Sequence, residues 1–195
     1  MVLYPENLRK QIDASNEWTY NDINNGVYKS GFATTQEAYE KNVYTLFKAL
    51  DKVEKHLAEN EGPFYYGKNV TEADVRLYTT IVRFDAVYVQ HFKTNLRDIR
   101  SGYPHLHKWL RMLYWDFPGS FGKETTEFTH IKCHYTKSHS QINPFSITPV
   151  GKQTEHDVST SKKKEKLTNA FFSGPEKPIL EKGEEVAAVM SAVSR

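Results

Sequence analysis

The stretch GPFYYGKNVTEADVRLYTTIVRFDAVY, residues 62–88, decides the fold. In it, Thr71 and Asp74 supply a Thr-x-x-Asp variant of the capping box, while Val70 and Val75 occupy the two positions of a hydrophobic staple. The apolar residues that follow recur with helical spacing: Leu77, Tyr78, Ile81 and Val82. The stretch therefore predicts a buried helix capped by Thr71. As a cap alone, Asp74 is expected to contribute about 0.5–2 kcal/mol to stability.

Four further segments show helical spacing, and each has a recognisable start. The first begins at Pro5, a residue that suits the first turn of a helix. The second opens at Thr34, with Glu37 closing a capping box. The third starts at Pro104 and the fourth near Thr125. The second helix is predicted to bury a long apolar stripe: Val43, Leu46, Phe47, Leu50, Val53 and Leu57.

Two connections between these helices are also predicted. INNGVYKSGFA (23–33) is interpreted as a loop, because Asn and Gly favour turns. FYYG (64–67) is interpreted as a short extended link after the Gly62-Pro63 helix stop. No period-two pattern longer than four residues is visible. The predicted class is therefore all-α, with about five to seven helices between residues 5 and 149.

Length and composition restrict the possible functions. The chain has 195 residues, which corresponds to one domain, and 26 of them are Phe, Trp or Tyr. Its 26 basic and 24 acidic residues leave a net charge of +2, so there is no electrostatic reason to expect a nucleic-acid partner. The longest apolar run, Val186–Met190, is too short for the roughly 20 residues of a membrane span. The N-terminus has no secretory signal pattern, which favours a cytoplasmic protein.

The composition changes near residue 150. Residues 1–150 hold all of the Tyr and Trp and are predicted to form the helical domain. Residues 151–195 contain 15 charged side chains and only scattered apolar ones. Such a segment buries too little surface to offset the entropy lost on ordering, so it is predicted to be a disordered tail.

The titratable residues outside the main motifs suggest no metal centre. Cys133 is the only cysteine, which excludes a disulfide framework and a multi-Cys zinc site. His130 and His134 lie one helical turn apart beside it, but no fourth ligand has matching spacing, so no metal is predicted. Three charged residues are predicted to form buried pairs that hold the central helix: Arg76, Arg83 and Asp85. Three histidines show no partner in the sequence: His91, His105 and His107.

Residues 62–88 resemble the helical domain of glutathione transferases, whose central helix begins with the same box and staple. Three further stretches are similar to the glutathionyl-hydroquinone reductases, also called xi-class glutathione transferases: LYPENLRKQIDASNEWTYNDINNGVYKSGFAT (3–34), VQHFKTNLRDIR (89–100) and FTHIKCHYTKSHSQINP (128–144). The most specific motifs are INNGVYKSGFAT and HYTKSH followed by INP. The resemblance covers about residues 3–149 and does not extend into the tail.

The resemblance implies an activity that needs a second domain. Family members carry an N-terminal thioredoxin-like domain, which binds glutathione and supplies the catalytic cysteine in a Cys-Pro-Trp-type motif. The implied reaction removes glutathione from a glutathionylated hydroquinone, with glutathione as co-substrate. The cysteine thiolate attacks the glutathione sulfur, and a second glutathione resolves the mixed disulfide. This chain has no Cys-Pro dipeptide and no βαβ pattern, so the thioredoxin-like domain is expected to be absent and no residue is predicted to be catalytic.

The residues expected to bind substrate are Tyr28 of NNGVYK and Tyr135 of HYTKSH. The resemblance implies that they flank the catalytic sulfur and contact an aromatic or quinoid ligand. A phenol with a pKa of about 10 stays protonated at neutral pH, so it can donate a hydrogen bond to a substrate oxygen.

Three functions remain open from the sequence. The chain is the substrate-binding half of a glutathione-dependent reductase, or a non-catalytic interaction module, or a truncated gene product without activity. As an interaction module it would form a homo-oligomer or bind a thioredoxin-like partner, since an uncovered aromatic face favours association.

Overall fold

A computed structural model describes residues 1–117 and 122–149, and the predicted tail at 151–195 lies outside them. The α-helices in chain order are α1 (Arg9–Trp18), α2 (Asn25–Gly31), α3 (Gln36–Glu59), α4 (Glu72–Arg83), α5 (Val89–His91), α6 (Ile99–Gly102), α7 (Pro104–Arg111) and α8 (Phe128–Ser138). The described ranges contain no β-strand, which confirms the helical class. None of their helices is long and apolar enough to cross a bilayer.

Shorter helical segments connect or extend these helices. One π-helical segment, Thr19–Asn24, joins α1 to α2, and a second, Phe84–Tyr88, joins α4 to α5. A third, Met112–Asp116, extends α7. Single 3-10 turns at Glu6–Leu8 and Gly122–Glu124 precede α1 and α8. Because a π segment adds a residue to the helical turn, it changes the direction of the side chains that follow, and such segments are frequent at functional sites.

Helix α3 confirms its predicted apolar stripe but begins one residue later than expected. Its N-cap is Thr35, whose Oγ1 accepts a hydrogen bond from the Ala38 N–H at 3.2 Å. The predicted box of Thr34 with Glu37 is therefore wrong. Thr35, with φ −131° and ψ 153°, has the extended backbone that an N-cap requires. The stripe is buried up to Val53, and Leu57 is partly buried against the same core.

Helix α4 has the predicted capping box, and Asp74 also links α4 to more distant parts of the core. Asp74 is fully buried. Its Oδ2 accepts from the Thr71 N–H at 2.8 Å, as a capping box requires. Its Oδ1 accepts from the Tyr65 N–H at 2.7 Å and from Trp109 Nε1 of α7 at 3.0 Å. One carboxylate therefore joins α4 to α7 and to the turn that precedes it.

That preceding turn corrects the interpretation of residues 64–67 as an extended link. The backbone N–H groups of Phe64 and Gly67 each donate to the other residue's carbonyl, at 3.0 and 3.2 Å, so the segment closes on itself. Gly67 has a φ of +100°, a conformation that L side chains rarely adopt. The tight turn therefore requires glycine at position 67, and the turn directs the chain into α4.

The interpretation of residues 23–33 as a loop is wrong, because the segment is helical almost throughout. Asn24 and Gly31 in this segment serve helix packing. The Asn24 amide donates to the Arg76 carbonyl at 3.0 Å and to Thr80 Oγ1 at 2.6 Å, which fastens the π segment before α2 to α4. Gly31 has no room for a larger side chain, since a Cβ there would lie 2.1 Å from Cδ1 of Phe92.

We expect Gly31→Ala to lower the free energy of unfolding by about 1–3 kcal/mol, because the added methyl forces the buried Phe92 ring out of its place. Gly26→Ala is the matched control in the same helix. Its Cβ would meet the Leu46 side chain at an ordinary 3.5 Å, so stability should change by less than about 1 kcal/mol. Denaturant titration of both variants measures the difference, and equal effects would contradict the packing argument.

Candidate functional site

Three tyrosine hydroxyls form a hydrogen-bonded chain where α2, the segment Phe84–Tyr88 and α8 meet. Tyr135 Oη lies 2.7 Å from Tyr28 Oη and 2.9 Å from Tyr88 Oη. The structure thus brings together the two tyrosines chosen from the sequence, which are 107 residues apart, and adds Tyr88 beside them.

Sequence reasoning missed Tyr88. It follows the buried Ile81 by seven residues, so helical spacing explains it as an ordinary core aromatic. The signal that points to it is its hydroxyl, because a buried tyrosine normally needs a hydrogen-bond partner for that group. Here the partner is Tyr135, on an element far away in sequence.

The three hydroxyls differ in their access to solvent. Tyr28 is 38% exposed, whereas Tyr135 is 8% and Tyr88 is 2% exposed. Burial raises the pKa of Tyr28 to about 12, and the hydrogen bond to Tyr135 adds to this effect. Burial also raises the pKa of Tyr88, and the nearby Tyr135 hydroxyl raises the pKa of Tyr88 further. Tyr28 and Tyr88 therefore remain protonated donors across the physiological pH range.

Either hydroxyl of each pair can be the donor, so the chain of hydroxyls has an arrangement that leaves one proton free for a ligand. In that arrangement Tyr88 donates to Tyr135 and Tyr135 donates to Tyr28, and the Tyr28 proton points outward. Hydrogen bonds in such a chain polarise one another, which strengthens the outermost donor.

An open groove of about 490 Å³ runs beside this chain. Its walls come from α2, α4, α8 and the π segments next to them, and they include Tyr20, Tyr28, Thr80, Arg76, Arg83 and Tyr135. A second cavity of about 450 Å³, near the end of α3 and α7, is lined by no tyrosine. The groove is the better candidate site, because it joins aromatic surface to convergent polar groups.

A histidine pair lies behind Tyr135, and it corrects the expectation that His91 has no partner. His91 Nε2 is 3.0 Å from His139 Nδ1, with the two rings stacked. The His139 ring also meets Tyr135 edge-on at 5.6 Å. His105 likewise has a partner, since its Nδ1 lies 2.8 Å from Glu54.

The histidine pair gives stability a pH dependence. Burial, with further contributions from His139 and Lys93, lowers the pKa of His91 to about 4, whereas an unfolded histidine titrates near about 6.5. Between these values the unfolded chain binds more protons, so the free energy of unfolding should fall as pH drops from about 6.5 to about 4. Denaturant titrations across this range measure the slope.

His91→Gln should reduce that slope, because glutamine does not titrate; the part that remains comes from His139, whose pKa burial also lowers. His130→Gln, at an exposed position of α8, is the control and should leave the slope unchanged. An undiminished slope in His91→Gln would show that other groups cause the pH dependence.

The charged residues on and just after α4 do not form, among the described residues, the buried pairs predicted for them. Arg76 pairs with Glu72 at 2.6 Å near the surface. Asp85 instead accepts hydrogen bonds from two backbone N–H groups at the start of α6, at 2.7 and 3.1 Å. Arg83 donates to the Thr79 carbonyl and meets no carboxylate among the described residues.

The remaining candidates lie apart from the groove. Cys133 is partly buried and does not line it. His130 and His134 are exposed, and residues 1–117 and 122–149 contain no group of three His, Cys, Asp or Glu side chains placed to hold a metal ion.

Comparisons with known proteins agree with this helical architecture. The family described as "Glutathione S-transferase, C-terminal domain" matches residues 36–111. "Glutathione S-transferase omega-like 2" of Schizosaccharomyces pombe is 61% identical over 149 residues, which are 76% of this chain and 47% of that protein. Glutathionyl-hydroquinone reductase YqjG of Escherichia coli is 47% identical over 148 residues, 76% of this chain and 43% of that protein.

Solved structures extend the likeness to three dimensions. Glutathione transferase Xi 1 from Trametes versicolor matches with a TM-score of 0.74 and 55% identity, over 78% of this chain and 51% of that one. The glutathione-bound structure of YqjG matches with a TM-score of 0.72 and 45% identity, over 78% and 48%. The chain thus spans about half the length of the curated relatives it matches.

Proposed function

Because this chain belongs to the glutathionyl-hydroquinone reductase family, the xi class of glutathione transferases, we propose that its groove binds the hydroquinone half of a glutathionylated hydroquinone. The observation that carries the proposal is the hydroxyl pair of Tyr28 and Tyr135, 2.7 Å apart at the edge of an open groove. A groove of about 490 Å³ falls in the size range of small-molecule sites.

The groove offers what an aromatic diol needs for binding. The Tyr28 ring gives it apolar surface, and the Tyr28 O–H donates to a ligand oxygen. Tyr135 does not need to reach the ligand to matter, because its hydroxyl orients that of Tyr28. Tyr88 supports Tyr135 in turn, from a fully buried position.

The same donors suit the chemistry of the family. The ring carbon that carries the sulfur first takes a proton while a neighbouring hydroxyl loses one, which gives a dienone. When a thiolate then attacks the glutathione sulfur, the electron pair of the carbon–sulfur bond moves into the ring and onto the carbonyl oxygen. The aromatic ring is restored as a phenolate, whose oxygen finally takes a proton. A donor already aimed at that oxygen stabilises the charge without reorganising. The proposal assigns this role to Tyr28.

Glutathione is the co-substrate of the family, and the proposal assigns its site and the reacting thiol to a thioredoxin-like domain. Cys133 is not suited to the reaction, because it is partly buried and does not line the groove. The described helices thus contribute ligand binding and charge stabilisation.

The proposal is tested by joining the chain to a xi-type thioredoxin-like domain and measuring turnover of a glutathionyl-hydroquinone. Tyr28→Phe or Tyr135→Phe should each lower kcat/KM by about 10–10³-fold, since each variant loses one hydroxyl that serves the transition state. Tyr44→Phe is the control, because Tyr44 is an exposed tyrosine of α3 away from the groove. Equal kcat/KM in all three variants would contradict the proposal.

A further inference from the structure

We infer that Arg83 makes the groove selective for aromatic ligands with an ionised oxygen, so that phenolates bind in preference to neutral phenols. The inference rests on the proposed function and adds the charge of the ligand to it. The side chains of Arg83 and Tyr28 line the same groove.

The charge of Arg83 is not neutralised within the described structure. Its guanidinium donates to the Thr79 carbonyl of its own helix, and no carboxylate of the described residues pairs with it. An arginine has five N–H donors in a planar fork, so others remain for a ligand. No Asp or Glu is among the described residues that line the groove. A ligand that enters it therefore meets the positive charge of Arg83, and no carboxylate of the described lining residues opposes that charge.

Arg76, the second arginine of the groove, differs in this respect. Its guanidinium lies 2.6 Å from Glu72 Oε1, so its charge is already paired. Arg76 is thus a matched comparison on the same helix, with the same side chain in the same groove and a different electrostatic state.

The field of Arg83 reaches the hydroxyl chain. It acts to lower the pKa of both Tyr28 and Tyr88, although burial outweighs it in both cases. A ligand oxygen hydrogen-bonded to Tyr28 would lie within reach of the same charge. Because the groove is open to water, we expect screening to limit the preference for the ionised ligand to about tenfold.

The test uses 4-nitrophenol as the probe, because its neutral and ionised forms have different absorption spectra. Absorbance titration from pH 5 to 9, with and without the 195-residue chain in excess, gives the affinity of each form. Tyr28 remains a protonated donor over this range, since burial raises its pKa to about 12. We expect the protein to bind the ionised probe about tenfold more tightly, which appears as a lower pKa for the bound probe.

The variants separate the two arginines. Arg83→Gln should remove the preference while neutral 4-nitrophenol still binds, and Arg83→Lys should keep part of it because the charge remains. The double variant Arg76→Gln with Glu72→Gln should change the preference by less than about twofold, since it removes an ion pair that carries no net charge. Circular dichroism and a thermal melt of each variant verify that it folds.

Each other outcome counts against a specific claim. Equal binding of the two forms by the unmodified chain overturns the inference and leaves the proposed function standing. Loss of the preference in the double variant of Arg76 and Glu72, with Arg83→Gln unaffected, overturns the assignment to Arg83. Absence of any binding overturns the proposed function and the inference with it.

Discussion

Asp74→Ala is expected to lower the free energy of unfolding by about 3–5 kcal/mol, more than the loss of a helix cap alone. A cap accounts for about 0.5–2 kcal/mol. The structure adds Tyr65 N–H and Trp109 Nε1 as donors to the same buried carboxylate. Alanine leaves these donors and those of Thr71 without an acceptor inside the core, and each buried unsatisfied donor costs about 1–3 kcal/mol.

Two further variants make the result interpretable. Glu72→Ala removes an acidic side chain from the same helical turn, but its partner Arg76 is half-exposed, so the cost should stay below about 1 kcal/mol. Asp74→Asn keeps the shape and one acceptor oxygen, so its stability should lie between those of the parent and Asp74→Ala. A melting temperature of Asp74→Ala within about 2 °C of the parent would contradict the central role of this carboxylate.

The 195-residue chain, assayed by itself, is expected to show no glutathione-dependent turnover of a glutathionyl-hydroquinone. The exchange passes through a cysteine thiolate bonded to glutathione, and Cys133 is the chain's only cysteine. It does not line the groove. Its neighbour Lys132 is buried, and burial lowers the pKa of that lysine, which weakens it as a cation that would stabilise a thiolate.

The matching positive result comes from joining the chain to a xi-type thioredoxin-like domain, which should restore turnover. Cys133→Ser should then have no effect on kcat/KM, because the added domain carries the reacting thiol. Robust turnover by the 195-residue chain itself, abolished in Cys133→Ser, would overturn the assignment of the thiol to another domain.

The sequence predicted the helical elements well where the signals are local. Caps and apolar spacing act over a few residues, so the box of Thr71 and Asp74 and the stripe of α3 are found where they were expected. The same local rules misplace the start of α3 by one residue, since adjacent threonines at 34 and 35 are equally good caps by composition. Backbone conformation alone separates them.

The errors arise where a residue serves a distant contact. Asn and Gly in residues 23–33 favour turns by local rules, yet Asn24 holds α4 and Gly31 makes room for Phe92. A sequence pattern does not show such an approach, because the partner lies about 50–60 residues away. Tyr88 was missed for a related reason, since its spacing matches an ordinary core residue.

The sequence by itself determined the helical class, the capped central helix and, through two specific motifs, the choice of Tyr28 and Tyr135. Tertiary structure alone decided that their hydroxyls meet and that Tyr88 completes the chain. It also decided that Arg83 lines the groove with no carboxylate partner among the described residues, whereas Arg76 has one. The physical reason is the separation in sequence between the residues that interact. Caps and periodicity depend on neighbours within one or two helical turns, whereas hydroxyl contacts and unpaired charges depend on how separate helices pack.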